Sequence, residues 1–139
     1  MVKPEDRIYH LGDVIFKKQG TLGLILKECP GDKILCKGNH DYNANGWYIR
    51  KGFSDVVKYY ITNGILLSHS PLDIDEIEKE TGEKIKYNIH GHFHRKNREE
   101  IDRGPGGYPF YSDKHLLIAI EEENYKPILI EDFLKKKIP

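Results

Sequence analysis

Cysteine, net charge and long apolar runs are all scarce in this chain, and each scarcity removes a class of protein. Its 139 residues hold two cysteines, Cys29 and Cys36, which do not form a CxxC pair. No disulfide framework is expected, and two reduced thiols in a cytoplasmic protein are the default. Lysine plus arginine total 22, as do aspartate plus glutamate. Without a basic field there is no extended nucleic-acid surface, although a nucleotide gripped locally is still allowed. Apolar stretches such as Gly64 to Leu67 and Leu116 to Ile120 fall far short of the roughly 20 residues of a membrane span. No apolar core follows the charges of Met1 to Arg7, so no signal peptide and no membrane partner are expected. There is no internal repeat and no low-complexity tract. The length suggests a single domain over residues 1–139.

What is present is an alternation of short apolar runs with amphipathic ones. Arg7 to Leu11 reads as a buried strand ending at Gly12. Leu22, Ile25 and Leu26 have helical spacing within Leu22 to Glu28, and Pro30-Gly31 stops that helix. Lys33 to Lys37 reads as a strand closed by Gly38, and Asn45 to Lys51 as a short helix ended by Gly52. Val56 to Thr62 and Ile65 to Ser68 read as two strands joined by Asn63-Gly64, a strong hairpin signal. Asp73 to Thr81 reads as a charged, exposed helix capped by Gly82. Lys86 to Ile89 is a strand running into Gly91. Residues 97–113 contain Gly104-Pro105-Gly106-Gly107 and read as a loop, long enough for a lid or an insertion. His115 to Glu121 is a strand with Tyr125 to Ile130 as its hairpin partner. A final helix runs from Glu131 through Leu134, before Lys135-Lys136-Lys137.

The informative regularity is positional. Asp13, then Asn39-His40-Asp41, then His69, then His92 and His94 each follow a strand, three of the four groups just after a glycine. In α/β sheets, ligand sites gather at the carboxyl ends of strands. Asp13 offers a carboxylate able to bridge cations, Asn39 a carbonyl oxygen, and His69, His92 and His94 imidazoles. Such a mixed oxygen and nitrogen set suits manganese, iron, zinc or nickel. Two ions roughly 3.5–4 Å apart would turn a bridging water into a nucleophile. His40 is placed to protonate a leaving oxygen or to stabilise phosphoryl charge, with Asp41 to orient it. Each residue alone has a plainer reading: a turn aspartate, a helix N-cap cluster, a strand-end histidine, solvated loop histidines. Four such coincidences would be needed together.

In this order and context, Gly12-Asp13, Gly38-Asn39-His40-Asp41, His69 and Gly91-His92-Phe93-His94 resemble the signature motifs of the calcineurin-like metallophosphoesterases. The resemblance runs from Pro4 to about Leu134. It implies an α/β sandwich of two sheets flanked by helices. It implies that Asp13 bridges two divalent metals, that Asn39, His69 and His92 complete the second metal's ligands, and that His94 serves the first. His40 becomes the acid or transition-state residue. The implied activity is hydrolysis of a small phosphodiester or phosphomonoester by hydroxide on the metals, with diesters preferred. A homodimer is allowed for.

One motif of the family has no counterpart. An Asp-x-His precedes the Gly-Asp motif in the family, whereas Asp6 here is followed by Arg7 and Ile8. The expected sandwich therefore lacks its first strand, and the first metal keeps only Asp13 and His94. The alternatives are a start further upstream, a one-metal or non-catalytic scaffold of the same fold, or replacement by another chain, His10 or His90. Otherwise His10 and His90 read as packing or supporting groups, and His115 as part of the sheet. Tyr42, Trp47 and Tyr48 read as pocket lining or core. Arg95 and Lys96 read as phosphate-binding or as an exposed basic turn.

Overall fold

A computed structural model describes residues 5–12, 31–38, 41–91, 108–118 and 128–138. Strands β1 (Arg7–His10), β2 (Asp32–Cys36) and β3 (Asp55–Val57) form a parallel sheet in that order. A second sheet contains β4 (Tyr59–Thr62), β5 (Ile65–Ser68), β6 (Tyr87–His90) and β7 (His115–Leu117), also in chain order. Here β4 is antiparallel to β5, and β5, β6 and β7 are parallel. Among the described residues the helices are α1 (Asn45–Arg50), α2 (Ile74–Thr81) and α3 (Ile130–Lys137). None of them is long and apolar enough to cross a membrane.

Strand alternation sorts the side chains. Tyr9, Leu11, Cys36 and Val57 from the first sheet's side meet Ile65, Leu67, Ile89 and Leu116 of the second, and Phe133 of α3 joins the same cluster. The Tyr9 and Tyr60 rings meet across it with centroids 5.1 Å apart. Residues of the other parity face outward. Leu35 and Val56 pack with Tyr48 and Phe53, with Trp47 of α1 against them. Leu66 packs with Ile74 and Ile77 of α2 and with Ile85. Fully burying each such aliphatic or aromatic side chain stabilises by about 1.5–3 kcal/mol. The molecule is thus a mixed α/β protein whose two sheets share one apolar cluster, with α1 and α2 packed on their other faces.

Several elements differ from their sequence reading. The run Val56 to Thr62 is not one strand: Lys58 breaks it, so that β3 extends the first sheet and β4 opens the second. Helix α2 carries the expected charges but is not simply exposed, because Ile74 and Ile77 are buried on Leu66. Its Asp73 cap accepts from the Asp75 and Glu76 amides. The proposed strand Tyr125 to Ile130 fails at its end, where Ile130 is already the first residue of α3. Ile128 and Ile130 pack on the shared cluster, and alternate apolar residues leading into a helix resemble a strand in sequence. Helix α3 also continues through Lys137, beyond the expected Leu134. The helix expected over Leu22 to Glu28 lies outside the described residues.

Candidate functional site

Four chain segments end at one place. Gly12 follows β1 by two residues, Gly38 follows β2 by two, and His69 and Gly91 directly follow β5 and β6. Gly12 has φ +93°, which favours glycine, and a Cβ there would lie 2.6 Å from His69 Nδ1 and 2.8 Å from both Gly38 Cα and Gly38 N. The chain at Gly12 is therefore in close contact with both Gly38 and His69. The Gly91 N–H donates to His69 O at 2.8 Å. A Cβ on Gly91 would lie 3.6 Å from Leu11 O. The carboxyl ends of β1 and β2 from one sheet thus meet those of β5 and β6 from the other.

His69 is held in a defined state. It is buried, at 5% exposure, and its Nδ1 lies 2.7 Å from Leu11 O. A carbonyl can only accept, so Nδ1 carries a proton; in the neutral form of the ring the lone pair is then on Nε2. That is the tautomer a metal-ligating histidine takes, with one nitrogen donating to a carbonyl and the other turned to an ion.

Asp41 is equally buried. Its Oδ2 accepts from Gly38 N–H at 2.8 Å, while its own N–H donates to Gly38 O at 3.1 Å. This double bracket spans Asn39 and His40. Asp41 thereby braces the backbone at Gly38; its expected role as partner of the His40 ring involves a residue outside the described ones. Beside it, Lys37 Nζ donates to Asn43 O at 2.7 Å and to Asn45 Oδ1 at 3.1 Å, tying the segment before α1 to the end of β2.

Of the proposed ligand, catalytic and substrate-binding residues, His69 and Asp41 are described. Asp13, Asn39, His40, His92, His94 and Arg95 lie outside the described residues, as does Lys96. Among the described residues no three His, Cys, Asp or Glu side chains group to hold a metal ion. His10 accepts from Gly12 N–H through Nδ1 at 3.2 Å and meets the Phe53 ring edge-on, which is a supporting position. Tyr48 is core, and Trp47 packs on it at 4.9 Å between centroids. Tyr42 is 82% exposed, one residue after Asp41.

A second polar group was not legible as such. Ser68, Asn88, His90 and His115 share one face of β5, β6 and β7, in register across the strands. Asn88 donates to Leu66 O and Ser68 Oγ, both at 3.0 Å, and accepts from Leu72 N–H at 2.9 Å. His115 Nε2 donates to Leu72 O at 2.7 Å, and its Nδ1 accepts from Ser112 N–H at 3.1 Å. His90 Nδ1 lies 3.0 Å from Gly91 O, and its Nε2 lies 2.9 Å from the Tyr111 hydroxyl. The available signal was the polar–apolar–polar alternation Asn88-Ile89-His90 beside the wholly buried β5.

Fold and site together define a mixed α/β protein with polar strand ends from two sheets gathered at one edge. No family model and no curated protein matches the chain. Among solved structures it is similar to the crystal structure of the protein of unknown function AQ665 from Aquifex aeolicus. The two are 32% identical, with a TM-score of 0.62 over 97% of this chain and 78% of that one. The chain belongs to the same family as that Aquifex protein.

Proposed function

We propose that the chain is a metal-dependent phosphoesterase with the calcineurin-like sandwich architecture, hydrolysing a small phosphodiester or phosphomonoester, a nucleotide among the candidates. The observation that carries this reading is the meeting of Gly12, Gly38, His69 and Gly91, with the His69 tautomer set by Leu11 O. Asp13, Asn39 and His92 each follow one of those glycines, and one peptide link spans about 3.8 Å between Cα atoms. The described residues that immediately precede these candidates therefore lie together.

In this reading Asp13, Asn39, His69 and His92 hold one divalent ion, and Asp13 with His94 contributes to a second. Manganese, iron, zinc or nickel suits that donor set. Such ions, when bound, lower the pKa of a water and neutralise phosphoryl oxygens. His40 delivers a proton to the leaving oxygen or stabilises the phosphoryl charge. Asp41 fixes the turn that carries His40, and Arg95 grips the phosphate. The protein works in the cytoplasm, as a monomer or a homodimer.

The rival reading is a one-metal or non-catalytic scaffold of the same fold. Turnover of a chromogenic phosphodiester with added manganese separates the two. The enzyme reading expects activity in the wild type that His40→Ala loses. Equal, negligible turnover in both proteins would reject it in favour of the scaffold.

A further inference from the structure

We infer that Tyr111 and His90 are positioning residues that fix the backbone at Gly91, the residue before His92. This rests on the phosphoesterase reading for its functional half only. The Gly91 carbonyl can only accept, so His90 Nδ1 carries the proton and Nε2 accepts from the Tyr111 hydroxyl. The same glycine donates its N–H to His69 O. One hydrogen-bonded path thus runs from Tyr111 through His90 to Gly91, and from Gly91 to the backbone of His69.

Packing alone gives no reason for these side chains. His90 and Asn88 are both 0% exposed, on a face where Leu66 packs against α2. Burying polar groups there is costly unless each is hydrogen-bonded, and an apolar residue would pack as well without that demand. What the polar set adds is direction. Asn88 ties Leu72 to β5 and β6, and His115 ties Leu72 to β7. Tyr111 stacks on His115 with centroids 4.8 Å apart, so its hydroxyl is aimed by the same network. The chain on either side of His69 and at Gly91 is therefore held by the side chains of this network. Partners of this kind commonly change metal affinity by about 10–100-fold when removed.

Tyr111→Phe removes the hydroxyl and keeps the ring. His90→Asn keeps a donor for Gly91 O, and His90→Leu removes it. Amide hydrogen exchange of the full chain, without metal, is the first readout. Loss of one buried hydrogen bond predicts roughly two- to tenfold faster exchange at Gly91 in Tyr111→Phe, with Leu67 and Ile89 unchanged. Unchanged exchange at Gly91 overturns the inference even if His90→Leu fails to fold. Manganese affinity is the second readout. Tyr111→Phe and His90→Leu should weaken it by about tenfold or more at temperatures where each chain is still folded, with His90→Asn partly restoring it. Equal affinity in all four proteins overturns the functional half. A wild type that takes up no manganese instead rejects the phosphoesterase reading, and exchange at Gly91 alone then decides the positioning claim.

Discussion

Replacing Gly12 by alanine is the sharpest structural perturbation the molecule offers. The new Cβ would sit 2.6 Å from His69 Nδ1 and 2.8 Å from Gly38 Cα and N. Neither neighbour yields easily. His69 is anchored on Leu11 O at 2.7 Å, and Gly38 is bracketed by Asp41 at 2.8 and 3.1 Å. The left-handed φ of +93° adds its own strain, about 1–2 kcal/mol for a residue with a Cβ. Overpacking a tight site adds about 1–3 kcal/mol. The sum is roughly 2–5 kcal/mol. Gly82 supplies the control, with φ +74° at the end of α2 and nothing within 4 Å of its added Cβ. Gly82→Ala should cost only the conformational part, about 1–2 kcal/mol. Urea unfolding followed by circular dichroism gives both values. If Gly12→Ala is no more destabilising than Gly82→Ala, the strand ends do not meet as described.

Further outcomes follow from single contacts. Asp41→Ala leaves the Gly38 N–H without its carboxylate and should lower stability by about 1–3 kcal/mol in the same urea assay. Asp73→Ala removes the cap of α2 and should cost about 1 kcal/mol in the same assay. Burial pushes the Cys36 thiol up from 9.0 to about 12. The unfolded chain therefore ionises first as pH rises. The wild type should keep its full stability below pH 9 and lose stability progressively from there to about pH 12, relative to Cys36→Ala. Urea titrations of the two proteins at several alkaline pH values check this.

Local chemistry was legible where it stands in a few adjacent residues. Asn63-Gly64 announces the β4–β5 hairpin, and both residues do take positive φ, 50° and 78°. Gly82 announces the end of α2 and has φ +74°. The strands ending near Gly12, Gly38 and Gly91 were visible because an apolar run stops at each glycine. The switch between sheets at Lys58 was not visible, because no glycine or proline marks it and only packing assigns β3 and β4 to different sheets. Ile128 to Ile130 misled because alternate apolar residues serve a strand and a helix approach equally. At the site, the placement of His69 behind Leu11 depends on contacts 58 residues apart. Periodicity carries no such information. Asn88 and Tyr111 went unnoticed for the same reason: strand pairing brings Asn88 beside Ser68, and the course of the chain before β7 brings Tyr111 to His90.

Metal content tests the central claim most directly. The full chain is loaded with manganese, freed of excess by gel filtration and analysed for bound ion, with His69→Ala treated in parallel. The account predicts one or more ions per wild-type chain and a large loss in His69→Ala, which removes the proposed ligand whose Nδ1 is held by Leu11 O. A wild-type chain that retains no ion, or a His69→Ala chain that retains as many as the wild type, would contradict it.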